Sequence, residues 1–366
     1  MTLSCALVGC GTRGAVWARV LAEHTAVNLV ALVDPDEART RKLAARWSRP
    51  VSCHTALAPE PGQWDMVVLA TPPEMHFAQV RTCLEHGLHV ICEKPLVEEF
   101  AQAIRLVRMA EQADRLLMVG MNFRYLAASQ YLRRAVRTAR FGPLGFGRFH
   151  YIRQRDGRRA DLNSYPLTMA QPMLWEQSVH HLDLLRYCYD QEVVRLCADT
   201  WNPPGSVYRH DSCVSLLLEL AHGARVAYLG TWTAGWNGME FSWRSDFRRG
   251  MILQRNQFAD VVECRFEPDL GLSGARFKEP HEAEPLQPVA LVPQHPFVDD
   301  ARGLLDEFVA CLHQGLPLQT SARDHLGTLA LLEACVRAGT ERVWVDVAAL
   351  FEAHDAGDLR PISSPT

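Results

Sequence analysis

Through the first third of the chain, apolar-rich runs of strand length alternate with stretches of helical character. The runs are Leu3 to Val8, Val27 to Val33, Met66 to Ala70, Leu88 to Cys92 and Leu116 to Gly120. Between them Arg13 to His24, Glu74 to His86 and Val97 to Ala113 place apolar residues at helical spacing. Repeated strand–helix units of this length predict a parallel, doubly wound α/β sheet. Two prolines, Pro72 and Pro73, stop the third run and prepare the next helix start. In such a sheet the strand ends present Gly9, Asp34, Thr71, Glu93 and Asn122 along a common edge.

The pattern then changes. Val214 to Leu220, Arg225 to Thr233, Met239 to Trp243 and Gly250 to Gln254 are short runs separated by turn residues, which predicts antiparallel strands. A proline-rich segment from Glu279 to Pro296 reads as an arm or connecting loop, and helices are expected over Ala301 to Gln314 and Asp324 to Gly339. The expected division is a first domain over 1–121, a second over 122–345 and a frayed tail over 346–366.

Composition narrows the function. At 366 residues, two domains each have room for a full core. The net charge of -4 argues against a nucleic-acid binder, which needs a surplus of Lys and Arg. No apolar run approaches the ~20 residues needed to span a bilayer. The N-terminus enters a strand with no basic leader before it, so a cytoplasmic location is expected. The eleven cysteines are scattered, odd in number and free of any Cys-x-x-Cys pair. They read as buried thiols of a reducing compartment.

The first turn carries the first candidate chemistry. Gly9-Cys10-Gly11-Thr12-Arg13-Gly14 follows a strand and opens a helix, and Asp34 ends the next strand 20 residues after Gly14. Gly9 permits the tight turn, Gly11 lets the backbone approach a pyrophosphate, and Gly14 allows helix and strand to pack closely. The helix N-terminus faces the diphosphate, while Asp34 accepts from a ribose hydroxyl. A carboxylate there repels a 2′-phosphate, so NAD is favoured over NADP, with Arg39 and Arg41 nearby as the opposing signal. Further along the same edge, Lys94 in Glu93-Lys94-Pro95 stands where ligands bind in open α/β sheets.

The order Gly-x-Gly-x-x-Gly, Thr-Pro-Pro-x-x-x-His, Glu-Lys-Pro and Asn-x-Arg-Tyr resembles a known family. It is that of glucose–fructose oxidoreductase, inositol dehydrogenase and the rhizopine-catabolism proteins, all NAD(P)-dependent oxidoreductases. The segment Trp175-Glu176-Gln177-Ser178-Val179-His180-His181-Leu182-Asp183 is similar to that family's second-domain signature. The resemblance runs from residue 1 to about residue 345. It implies a Rossmann domain followed by an α/β domain with a large open, mainly antiparallel sheet. It also implies hydride transfer between nicotinamide and a secondary alcohol or ketone of a sugar, inositol or related polyol.

By this resemblance the catalytic residues are Lys94, His180 and Glu176. Lys94 reaches the reacting oxygen, where a cation lowers the alcohol pKa in one direction and polarises the carbonyl in the other. His180 moves the hydroxyl proton, as an imidazole with an unperturbed pKa near ~6.5 can. Glu176, where the family usually has aspartate, orients the imidazole or binds a neighbouring hydroxyl; helical spacing puts it on one face with His180 and Asp183. Cofactor contacts are expected from Gly9, Gly11, Thr12, Arg13, Gly14, Asp34, Thr71, Pro72, His76, Glu93, Lys94 and Asn122. Substrate contacts are expected from Lys94, Arg124, Glu176, His180 and Trp236, the last offering an aromatic face to a sugar ring. Adjacent histidines point to different helix faces, so no metal site is expected. Arg153, Arg155, Arg158 and Arg159 form a basic run that could meet a substrate anion or simply be solvated. An open sheet must cover its exposed face, which leads to a homodimer or homotetramer. Two other readings are an NAD-retaining glycosidase and a non-catalytic dinucleotide or metabolite sensor.

Overall fold

The structure, a computed structural model, describes residues 2–47, 49–155, 164–265 and 285–362. Arg158 and Arg159 of the basic run, with Asp156 and Asp161 beside them, lie outside the described residues. The chain forms two compact units.

In the first unit, the strands β1 (Leu3–Val8), β2 (Val27–Val33), β3 (Ser52–His54), β4 (Met66–Leu69), β5 (His89–Cys92) and β6 (Leu117–Val119) form one parallel sheet in the order β3-β2-β1-β4-β5-β6. Connections run through α1 (Thr12–Glu23), α2 (Glu37–Ala44), α3 (Pro73–Glu85) and α4 (Phe100–Ala113). Strand order reverses between β1 and β4, so the turns after these two strands frame the crevice in which such sheets take ligands. β3 and α2 have no counterpart in the sequence reading: β3 has three residues, none of them buried, and α2 buries only Thr40 and Leu43, so neither carries an apolar signal.

The unit is discontinuous, adding Gln294–Leu329 and Ala356–Pro361 to Met1–Tyr125. The reason is a core that the N-terminal elements leave incomplete. Ala301, Leu304, Leu305 and Phe308 of the helix α7 (Asp299–Gln314) are buried in one cluster with Leu7, Trp17, Leu21 and Leu32. These units differ from the contiguous division at residue 121. The expected tail is also structured: Val347–Ala353 is a helix capped by the Asp346 side chain, and Ala356 and Leu359 are buried.

The second unit comprises Leu126–Pro293, Ala330–Asp355 and Ile362–Thr366. Its nine-stranded sheet uses β7 (Leu144–Arg153), β8 (Val193–Trp201), β9 (Cys213–Leu220), β10 (Arg225–Thr231), β11 (Met239–Phe247), β12 (Gly250–Arg255), β13 (Asp260–Arg265), β14 (Gln287–Pro288) and β15 (Val345–Asp346). Every neighbouring pair is antiparallel except β7 with β10. β7, β8 and β13 escape the sequence reading because polar residues interrupt their apolar runs, as on a half-exposed sheet. The segment Met173–Ser178 forms a π-helical turn leading into α6 (Val179–Tyr189), whose eleven residues are all buried. Phe149, Tyr228 and Trp243 pack beside that helix as an aromatic layer.

All eleven cysteines are free, but they are not uniformly buried: Cys53 is exposed and Cys197, Cys264 and Cys311 are partly so. No helix among the described residues is long and apolar enough to cross a membrane.

Candidate active site

The first unit collects the glycine turn, Asp34, Thr71 and Lys94 at the carboxyl edge of its sheet. Gly9 has φ +90, and a Cβ there would lie 2.5 Å from the Ala70 carbonyl oxygen. A Cβ on Gly14 would lie 1.9 Å from the Gly9 carbonyl, so only glycine lets α1 start this close to the turn. Gly11 differs: its Cβ would meet no protein atom within 4 Å. Helix α1 begins there with no side-chain cap and no acid in its first turn, with Thr12 exposed. Uncapped N–H groups beside open space suit a diphosphate. Asp34 Oδ2 accepts from the Cys10 backbone N–H at 2.8 Å and Oδ1 from that of Asp36 at 2.9 Å. Its carboxylate is thereby fixed at the end of β2 with lone pairs remaining. Arg39 and Arg41 pair with Asp36 and Glu37 on their own turn of chain.

Pro72 caps α3, and Thr71 Oγ1 donates to Gln79 at 2.6 Å. Glu93 lies inside the unit. Its carboxylate takes Arg13 Nε at 2.5 Å and Trp17 Nε1 at 2.7 Å, with the Lys94 backbone N–H at 3.4 Å. Burial pushes its carboxyl pKa up, but the Arg13 guanidinium and the Trp17 hydrogen bond outweigh that and hold it below the usual range. Trp17 was invisible as a site residue from sequence, although it stands one helical turn after Arg13. Arg13 also donates to the Phe297 carbonyl at 3.3 Å through Nη1, while its buried Nη2 has no hydrogen-bond partner.

Three further expected contacts are held within the unit. His76 is fully buried, and each ring nitrogen lies 2.9 Å from a carbonyl oxygen, Pro95 on one side and Thr71 on the other. Asn122 donates to Asp300 of α7 at 2.5 Å. Arg124, 4% exposed, donates to the Gln319 carbonyl at 2.6 Å and pairs with Asp324 at 2.5 Å. Both His76 ring nitrogens thus face backbone carbonyls of its own unit. Arg124 likewise serves first to fix the segment after β6.

In the second unit the signature segment is built differently from the regular helix expected. Glu176 sits in the π-helical turn and His180, buried, in the first turn of α6. The wider turn breaks the α-helical step between them, so their shared face does not follow from spacing alone. A hydrogen-bonded chain fixes their neighbours. Gln177 donates to His181 Nε2 at 3.1 Å, His181 Nδ1 meets the Tyr228 hydroxyl at 2.8 Å, and that hydroxyl meets Ser178 Oγ at 2.7 Å. Burial drives the His181 pKa down to about 3, so the ring is neutral and its proton sits on Nδ1 toward Tyr228. Asp183 is buried on the same helix. Trp236 is 65% exposed in the turn before β11, whereas Trp232 is buried under the Arg155 guanidinium, 4.2 Å from its ring. No cluster of three or more His, Cys, Asp or Glu suited to a metal occurs among the described residues.

Two family models match the chain. Residues 3–121 match an oxidoreductase family with an NAD-binding Rossmann fold, and residues 129–248 match the C-terminal domain of the same family. A D-apiose dehydrogenase of Paraburkholderia graminis is 27% identical over 94% of this chain and 90% of its own. An inositol 2-dehydrogenase of Rhizobium meliloti is 22% identical over 95% of this chain and its full length. An Agrobacterium radiobacter oxidoreductase, solved with NAD+, L-tartaric acid and magnesium, superposes with a TM-score of 0.82 at 21% identity, covering 96% of this chain and 100% of its own. The chain belongs to the glucose–fructose oxidoreductase, inositol dehydrogenase and rhizopine-catabolism family of NAD-binding oxidoreductases.

Proposed function

We propose that this protein is an NAD-dependent dehydrogenase or reductase for a secondary alcohol or ketone of a sugar, inositol or related polyol. The observation that carries the cofactor half is the open space at Gly11 beside an uncapped helix start and the fixed Asp34 carboxylate. The family membership and the names of relatives acting on apiose and inositol support the substrate half. NAD is favoured over NADP because Asp34 repels a 2′-phosphate, and because Arg39 and Arg41 are engaged by Asp36 and Glu37.

Gly9, Gly11, Thr12 and Gly14 would hold the diphosphate and Asp34 the ribose, with Thr71, Pro72 and Asn122 on the same edge. When bound, the dinucleotide supplies the hydride acceptor or donor. Lys94 stabilises charge on the reacting oxygen, His180 accepts or returns the hydroxyl proton, and Glu176 orients that histidine or a neighbouring hydroxyl. Trp236 offers an exposed aromatic face to the ring. The protein works in the cytoplasm as a homodimer or homotetramer whose contact is the exposed face of the second unit's sheet. There Phe146 and Leu217 are 42% and 38% exposed, large apolar side chains at a level that favours a partner surface.

The test is NADH absorbance across sugars, inositols and sugar phosphates, with NAD and NADP in parallel. Reduction of NAD by a free polyol, lost by at least 100-fold in both Lys94→Ala and His180→Ala, is the expected result. Silence across the panel, with NAD binding intact by titration, would overturn the reading in favour of a bound-cofactor glycosidase or a sensor.

A further inference from the structure

We infer that His76 is a positioning residue for Lys94, acting through the main chain on either side of it. This role presupposes the proposed function of Lys94. Lys94 is flanked by two residues whose positions are set by different elements. On one side the Glu93 carboxylate is held by Arg13 and Trp17 of α1 and takes the Lys94 N–H. On the other side the Pro95 carbonyl meets His76 Nδ1 from α3 at 2.9 Å. The same ring reaches the Thr71 carbonyl through Nε2 at 2.9 Å. A single side chain thus ties the segment carrying Lys94 to the segment that follows the neighbouring strand β4. Leu69 and Cys92, the last residues of β4 and β5, are direct register partners. The Thr71 segment in turn abuts Gly9, whose missing Cβ leaves room for the Ala70 carbonyl. His76 therefore stands between the segment that carries the lysine and the segment that packs on the glycine turn.

The ring is poorly suited to being only packing. It is wholly buried, and both nitrogens face acceptors, while a neutral imidazole carries one N–H. One carbonyl is bonded and the other faces a lone pair. The proposed role places the N–H on Nδ1, toward the Pro95 carbonyl. Misplacing a catalytic group by about 1 Å costs on the order of 100-fold in rate.

Asparagine and glutamine separate the two links, since the Asn amide can replace Nδ1 and the Gln amide can replace Nε2. His76→Ala, His76→Asn and His76→Gln are compared for kcat, for KM of NAD, and for Lys94 amine reactivity. The last uses competitive acetylation with acetic anhydride read by peptide mass spectrometry across pH. The chain has only three lysines, Lys42, Lys94 and Lys278, so Lys42 serves as an internal reference. The expected result is a shifted Lys94 titration and a roughly 10- to 100-fold loss of kcat in the Ala and Gln variants. The KM for NAD changes less than about threefold, and His76→Asn returns both quantities toward wild type. Rescue by Gln and not Asn would overturn the inference, placing the anchor at Thr71. So would an unchanged Lys94 titration in all three with only a lower melting temperature. Should the Ala variant fail to fold, the Asn and Gln pair decides alone. The acetylation needs no substrate, so a failed substrate panel leaves this test readable.

Discussion

Single side chains in this protein often do their work by being neutral or paired inside it. His181 shows the pH consequence. Burial holds its folded pKa down to about 3, against about 6.5 for an unfolded histidine. Below pH ~6.5 the unfolded chain therefore binds the extra proton and the folded one does not. This contribution is complete above pH ~6.5 and is lost as pH falls toward 3, by at most about 1.4 kcal/mol per unit. Urea midpoints at pH 7, 6 and 5 should fall less steeply for His181→Asn, which keeps a donor for Tyr228; parallel slopes would contradict the assignment. At this scale the tight turn at Gly9 and Gly14 and the strand end at Asp34 were legible because each of these residues has a local reason. Trp17 and Asp300 were not, since what makes them matter is a partner 76 and 178 residues away. For His76 the sequence shows the spacing but not the two carbonyls that close around its ring.

Elements follow the periodicities well where both faces are buried. β1, β2, β4 and β5 could be read directly, because a parallel sheet covered on both sides demands continuous apolar runs. β7 and β8 could not, since polar residues on a half-exposed face break the run. The π-helical turn at Met173–Ser178 has no sequence signature in the reading at all; tertiary packing sets it. Gly230 is part of that packing: a Cβ there would lie 2.5 Å from Met173 Cε and 2.6 Å from the Tyr228 hydroxyl. Gly230→Ala should cost about 1–3 kcal/mol in chemical denaturation by overpacking. Met173→Ala in the same chain should recover part of the loss, giving a coupling of about 0.5 kcal/mol or more in a double-mutant cycle. Strict additivity would place the strain elsewhere.

For the molecule as a whole, the two-part architecture was readable from the shift between strand–helix alternation and short strands. The boundaries were not, because a helix placed 300 residues along completes the first core and no local pattern announces where a helix docks. Assembly is a property of this scale. If the exposed sheet face is the contact between copies, Leu217→Glu should move the elution volume to that of a 41.2 kDa monomer while leaving circular dichroism unchanged. An unchanged elution volume would direct attention to another surface.

The docking of α7 against β1 and α1 also governs how the protein comes into being. A ribosome releases the strands and helices of the first unit long before it has made Leu304, Leu305 and Phe308. Until then Trp17 and Leu21 lack part of their cover, and a nascent chain in that state is open to aggregation. The segment Leu126–Pro293 of the second unit is synthesised in the interval, so the first core waits for its last helix while another unit is being made. A fragment ending at Tyr125 would keep every cofactor motif and still need a chaperone, or the missing helix, to stay in solution.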